Sequence, residues 1–522
     1  MSSLSTTLFL KKYKKMKQFK LHALCSPFLL LCFVLLLVQC SSDEDTTLSN
    51  RDFDADSSIS GAFELNGNGS FDPSGEGYNS FEENAWIEVS DEPVSTFSID
   101  ADGASYSNTR RYLNEHEELP PVDAIRTEEF INYFTYKYEN PTDEHPISLN
   151  GEICMHPWQS GKKLLRIGIR GKDIPKATLP PANFVYLIDV SGSMSNPNKL
   201  GLLKESFKIF TDHLRPEDRI AIVTYAGSAG VLLNSTPGSD KETIKNAIDQ
   251  LGAGGSTAGA QGIITAYQIA LDHFIPGGNN RVILGSDGDF NVGISSQEEL
   301  IKLIEEKRDL GIFLTILGVG TGNLQDGKME QIANNGNGNY EYIDNIDQGV
   351  KVFVEEFNKF YTVAKDVKIQ IEFDADQISA YRLIGYENRL LENQDFEDDE
   401  KDAGEIGSNQ TITALYEIEP ISSGSDFTPA VKVDFRYKNP DEDVSIPLTL
   451  DIDDSNLPFE YASENTRFAA SVAGFGLLLR NSQYKGSLNY DYILNWADQA
   501  SSNDPEGWRA EFRDLVLKAK GL

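Results

Sequence analysis

The chain has 522 residues, too many for a single hydrophobic core, so about two to four domains are expected. Hydrophobic residues make up 40% and charged residues 24%, the balance of an ordinary globular protein. The formal net charge is -35, and residues 1–39 hold six lysines and no acid, leaving 40 basic against 81 acidic residues. That surface excludes nucleic acid and anionic lipid as electrostatic partners and is compatible with divalent cations.

The first element is an export signal. Lys11, Lys12, Lys14, Lys15, Lys17 and Lys20 precede an apolar run from Phe28 to Val38. The run is too short to span a bilayer as a helix, which needs about 20 residues, and suits a signal-peptide core. It ends Leu37-Val38-Gln39-Cys40, which resembles a bacterial lipobox, with Gln39 standing where a small residue is usual. The resemblance implies lipidation of Cys40, and more than one acyl chain there would give stable anchoring. Acidic residues follow Cys40, as in the surface-export signals of some outer-membrane lipoproteins. The expected location is the cell envelope, lipid-anchored to the outer membrane, periplasmic or surface-exposed. The other cysteines are Cys25, Cys32 and Cys154, a set that builds neither a disulfide framework nor a thiolate metal site. Residues 40–85, rich in Ser, Asp, Gly and Asn, read as a flexible acidic tether.

Residues 86–178 form an N-terminal flanking segment of mixed helix and strand. Helices are predicted near Ser107–His116 and Thr127–Tyr136, and Leu164–Arg170 alternates like a half-exposed strand. Residues 179–362 then change period. Phe184–Ile188, Ile220–Tyr225, Val282–Leu284 and Ile312–Val319 are continuous apolar runs, expected of parallel strands buried on both faces. Helices are predicted at Lys199–His213, Ala258–Phe274 and Asn345–Phe360, with capping-box spacings from Ser239 to Glu242 and from Ser296 to Glu299. Strand–helix alternation of this kind predicts a doubly wound, Rossmann-like α/β domain with a central, mostly parallel sheet. Residues 363–455 return to strands at Val367–Phe373, Thr411–Ile418 and Val431–Tyr437, a β-sandwich-like piece. Residues 456–522 show helical periodicity at Arg467–Arg480, Tyr490–Gln499 and Trp508–Lys518.

The chemistry sits at strand ends. Asp189-Val190-Ser191-Gly192-Ser193 follows the first buried strand, Thr257 opens a helix, and Asp287 follows another strand. Loops at the carboxyl ends of strands meet where strand order reverses, so these groups could converge. All are hard oxygen donors without His or Cys, which selects Mg²⁺, Mn²⁺ or Ca²⁺ over zinc. Two carboxylates and three hydroxyls leave an exchangeable position that a carboxylate of another molecule can fill.

The pattern D-x-S-x-S, then Thr, then Asp resembles the metal-ion-dependent adhesion site of von Willebrand factor type A (VWA) domains, with all five positions matched by Asp189, Ser191, Ser193, Thr257 and Asp287. In that family the serines and the threonine touch the metal directly, and the aspartates act directly or through water. Longer runs, among them Pro180–Met194, Asn198–Phe207 and Leu383–Leu391, are similar to YfbK-type bacterial lipoproteins, which carry a VWA domain between family-specific flanks. The resemblance covers residues 90–520 and implies capture of a protein or peptide carboxylate through Mg²⁺. The alternative is a structural or assembly role, in which the metal locks the domain against its own flanks or an envelope complex.

Enzyme readings fit less well, and a non-enzymatic role is expected. Ala226-Gly227-Ser228-Ala229-Gly230 lacks the first Gly of a nucleophile elbow, and Val231-Leu232-Leu233 after it reads as strand where the elbow requires helix. Gly318–Gly322 fails dinucleotide spacing and reads as a turn. Asp289 reads as a loop or outer-sphere group. Asp100-Ala101-Asp102-Gly103 and Asp451–Asp454 read as surface turns, since neither fills a calcium-binding loop.

Overall fold

A computed structural model describes residues 70–71, 75–99, 102–142, 144–226, 228–254, 260–288, 297–421 and 429–522. The export signal, Cys40 and most of the tether lie outside the described residues. No helix among the described residues is long and apolar enough to cross a membrane.

The α/β domain is built on six strands: β1 (Ala182–Asp189), β2 (Arg219–Ala226), β3 (Ser228–Pro237), β4 (Asn279–Ser286), β5 (Ile312–Val319) and β6 (Tyr340–Ile343). Their order across the sheet is β3-β2-β1-β4-β5-β6. All neighbours are parallel except β3, which runs antiparallel to β2. The order reverses between β1 and β4, which creates the switch point expected of a doubly wound sheet. Every residue of β1 and β4 is buried, because helices cover both faces.

Those helices are α1 (Leu202–His213), α2 (Lys241–Asp249), α3 (Ala260–Asp272), α4 (Gln297–Arg308) and α5 (Asp326–Asn335). On one face Leu203, Phe207 and Phe210 of α1 pack on Phe184, Tyr186 and Ile188, and the rings of Tyr186 and Phe207 stack at 4.1 Å. On the other, Ile263, Ala266, Tyr267 and Ala270 of α3 cover Val185 and Leu187. Alternate residues of one strand thus feed two cores, which is why its apolar run is continuous.

Sequence periodicity missed α5 and β6, both short and polar enough to read as loop. The helix expected over Asn345–Phe360 is broken into an α-helical turn at Ile346–Val350, a π-turn at Lys351–Glu355 and a 3₁₀ turn at Phe357–Phe360. The capping box expected at Ser239 is not formed: Asp240 is the N-cap of α2 and makes no side-chain cap. Ser296 lies outside the described residues.

The flanks are not three separate units. One five-stranded antiparallel sheet runs Ile87–Glu88, Ile378–Ile384, Thr411–Pro420, Lys163–Gly171, Ile147–Met155. A second runs Gly404–Gly407, Thr362–Phe373, Val431–Lys438, Ile446–Ile452, with Val94–Ser98 paired to Thr362–Phe373. Strands from both sides of the α/β domain therefore interleave and share one core, in which Ile167 and Ile169 meet Ile369, Val433 and Tyr416. A helical core does the same, joining Tyr106, Phe130 and Phe134 to Phe468, Phe475 and Phe512. The boundaries at 178, 362 and 455 mark changes in sequence pattern and do not divide these cores.

Candidate metal centre

Asp189 ends β1 and Asp287 follows the last residue of β4. The register sets Gly285 beside Ile188, so both carboxylates emerge at the same rim, at the switch point. Both are fully buried. The turn after β1 is tied down by Val190 N–H to Tyr225 O at 3.0 Å and Gly254 N–H to Val190 O at 2.8 Å.

The Ser191 amide donates to Asp189 Oδ1 at 2.8 Å and the Ser286 hydroxyl to Asp189 Oδ2 at 3.2 Å. Burial, reinforced by the neighbouring charge of Asp287, pushes the Asp189 carboxyl above its ordinary range against those hydrogen bonds. The hydroxyls of Ser191 and Ser193 lie 2.9 Å apart. The structure thus brings together Asp189, Ser191, Ser193 and Asp287. Thr257 and Asp289 lie outside the described residues.

The far side of the site holds a residue that sequence reasoning read only as the start of a helix. Lys199 is buried, and its ammonium donates to Asp287 Oδ2 at 2.9 Å and to Asn323 Oδ1 at 2.8 Å. Asp287 Oδ1 is buried with no partner among the described residues. Gly320 makes room for the lysine stem: a Cβ there would lie 2.3 Å from Lys199 Cγ, and its φ of +76° suits glycine. The turn expected over Gly318–Gly322 is confined to Gly320–Gly322, because Gly318 and Val319 close β5, and its job is to admit Lys199.

The donor set suits a hard divalent cation: oxygen only, two carboxylates, two adjacent hydroxyls and one buried carboxylate oxygen left over. No group of three or more His, Cys, Asp or Glu side chains with metal-holding geometry occurs among the described residues. A cation held here must therefore lean on hydroxyl ligands.

The chain before the domain also reaches this rim. Gly77 N–H donates to Leu324 O at 2.8 Å. The Glu76 carboxylate accepts from Gly322 N–H at 2.9 Å, from both terminal nitrogens of Arg111 at 2.8 and 2.7 Å, and from Tyr78 Oη at 2.6 Å. Burial alone would raise Glu76, but Arg111 and these donors outweigh it and hold it down at about 2. Two acidic stretches read as surface turns differ on inspection. Asp102 is buried and accepts from Tyr340 N–H at 2.9 Å, whereas Asp454 pairs with Lys163. Ser228 opens β3 of an antiparallel hairpin, not the strand-to-helix turn of a nucleophile elbow.

Residues 183–356 match the von Willebrand factor type A domain model, 72–166 a model described as von Willebrand factor, and 358–522 the C-terminal model of the uncharacterized protein YfbK. The uncharacterized protein YfbK of Escherichia coli (strain K12) is 40% identical over 474 residues, covering 85% of this chain and 81% of that protein. The chain belongs to the YfbK family. A UPF0353 protein of Mycobacterium sp. (strain KMS) is 32% identical over 149 residues, 26% of this chain and 44% of that protein. Among solved structures, a von Willebrand factor type A protein from Catenulispora acidiphila covers 73% of this YfbK-family chain and 97% of its own, at 16% identity and TM-score 0.41. BatB from Bacteroides thetaiotaomicron covers 34% of this chain and 98% of its own, at 21% identity and TM-score 0.29. The α/β domain of this YfbK-family chain is a VWA domain, a module of protein–protein interaction or adhesion.

Proposed function

We propose that this protein is an envelope lipoprotein, anchored through Cys40, whose VWA domain holds Mg²⁺ on Asp189, Ser191, Ser193, Thr257 and Asp287 and uses it to bind a carboxylate of a protein partner. The observation that carries the reading is the buried Oδ1 of Asp287, without a partner among the described residues, beside Asp189 and the paired hydroxyls of Ser191 and Ser193. A buried carboxylate oxygen without a partner is costly, and a cation satisfies it. When bound, the cation supplies a coordination position that a carboxylate oxygen can enter. The chain's own residues orient the donors. Ser286 and the Ser191 amide fix the Asp189 carboxylate, and Lys199 fixes that of Asp287.

The same site could instead lock the domain to its own flanks. Glu76, the acid that packs on the loop after β5, is bonded to Arg111, Tyr78 and Gly322. That commitment favours a carboxylate from outside the chain.

Calorimetric titration of the full-length chain with Mg²⁺, Mn²⁺ and Ca²⁺ tests the centre. One saturable site, lost in Asp189→Ala/Ser191→Ala, is the expected result. Heats unchanged in that variant would rule the centre out.

A further inference from the structure

A cavity of about 210 Å³ lies at the opposite end of the parallel sheet, between the start of β4, the turn before β6 and the strand Gly404–Gly407. Six charged side chains line it: Asp102, Arg281, Lys359, Arg389, Asp402 and Glu405. Four have ionic neighbours. Lys359 is bonded to Glu341 and Glu356, Asp402 to Arg308, and Arg389 approaches Asp102 at 4.0 Å.

Arg281 and Glu405 form no ion pair among the described residues, although each lies in the field of the other and Glu405 also in that of Lys365. Arg281 is 2% exposed. It donates to Thr315 Oγ1 at 2.8 Å and to Phe360 O at 3.1 Å, is flanked by the rings of Phe313 and Phe360, and leaves Nε without a partner among the described residues. Among the described residues no carboxylate is paired with it. Glu405 accepts from Asn337 Nδ2 at 2.7 Å through Oε1, while Oε2 is buried with no partner among the described residues. No cation is paired with it among the described residues. Burial draws Arg281 down to about 10 in spite of Glu405, and burial with Asp366 and Asp402 nearby pushes Glu405 up.

A buried guanidinium and a carboxyl that line one cavity and form no ion pair with each other among the described residues complement a molecule that carries both charges, its ammonium drawing the Glu405 carboxyl into the ionised form. We propose that this cavity binds a small zwitterion of the amino-acid class, its carboxylate on Arg281 and its ammonium on Glu405. A lone anion would leave the buried Oε2 of Glu405 unsatisfied, and a lone cation would leave Arg281 Nε so. The volume falls below the roughly 300–1,000 Å³ of pockets for drug-sized ligands, which points to a compact occupant. The described lining is polar and holds no aromatic ring, so no flat hydrophobic group is selected. The planar guanidinium, held between two rings, is preorganised for a carboxylate. A metal is disfavoured, because no metal-holding group of acids forms here among the described residues.

The test is calorimetry and thermal melting of the full-length chain with glycine, β-alanine and 4-aminobutyrate, which step the distance between the two charges. Acetate and methylammonium serve as half-ligands. One of the three zwitterions should saturate a single site and raise Tm, and each half-ligand should bind at least about tenfold more weakly. Glu405→Gln keeps the side-chain size, so it should retain the fold by circular dichroism and bind the zwitterion at least about tenfold more weakly. Arg281→Gln should do the same. Failure of all three zwitterions to bind the native chain overturns the proposal. So does acetate binding as tightly as any zwitterion, or affinity untouched by Glu405→Gln in a folded protein.

Discussion

At the residue scale, Lys199 is the group that tunes the candidate metal centre. Its ammonium lies 2.9 Å from Asp287 Oδ2, so it repels an incoming cation while holding the carboxylate in place. Lys199→Met should therefore tighten Mg²⁺ binding about tenfold and lower the melting temperature of the metal-free chain. Titration and melting of the two proteins measure both effects, and weaker Mg²⁺ binding in the variant would show that orientation outweighs repulsion. Glu76 gives a pH signature. Its carboxyl is held at about 2 in the folded chain against an ordinary 4.5. A lowered folded-state value contributes stability above the unfolded value that is lost as pH falls from 4.5 toward 2. The full effect is roughly 3 kcal/mol by linkage. Glu76→Gln should flatten that part of the stability-against-pH curve, measured by urea melts. A curve parallel to that of the native chain would remove Glu76 from the account.

At the element scale, the turn after β4 depends on glycine. Gly288 has φ +104°, and a Cβ there would sit 2.4 Å from the Gln325 amide nitrogen. Gly288→Ala should cost about 1–3 kcal/mol and disturb the loop that carries Asn323, the second partner of Lys199. Denaturant midpoints decide this, and an unshifted midpoint would mean that the loop yields freely. The long C-terminal helix Glu464–Leu479 shows the opposite case, a start secured by side chains. Ser463 caps it by accepting from Thr466 N–H at 3.3 Å and donates to Glu152 Oε2 at 2.7 Å. Loss of that cap in Ser463→Ala should cost about 1 kcal/mol.

At the scale of the whole molecule, Leu65–Leu522 forms one compact unit because the flanks are interleaved. Thr411–Pro420 lies between Ile378–Ile384 and Lys163–Gly171, and Val94–Ser98 pairs with Thr362–Phe373. A chain ending at residue 362 would expose the apolar face and open edge of Lys163–Gly171. Limited proteolysis of that truncated chain should digest residues before 178 and spare residues 179–362, whose two cores draw only Ala104 and Ile174 from the flank. Protection of the N-terminal flank in the truncated chain would contradict shared cores.

Much of the VWA domain was legible in the sequence, because its information is local. Phe184–Ile188 must be buried on both faces to justify five apolar residues in a row, and Lys199–His213 carries its core stripe at helical spacing. The order Asp189, Ser191, Ser193, Thr257, Asp287 named a candidate site before any geometry, since strand ends in such sheets gather at one rim. Other features were settled only in three dimensions. Lys199 meets Asp287 across 88 positions, and Arg281 and Glu405 line one cavity from different sheets. The sandwich pairs residues near 96 with residues near 370. Strand pairing and buried charge depend on register and on which faces are covered. No local periodicity encodes those, because a strand's apolar pattern says that it needs a partner and not which partner it finds.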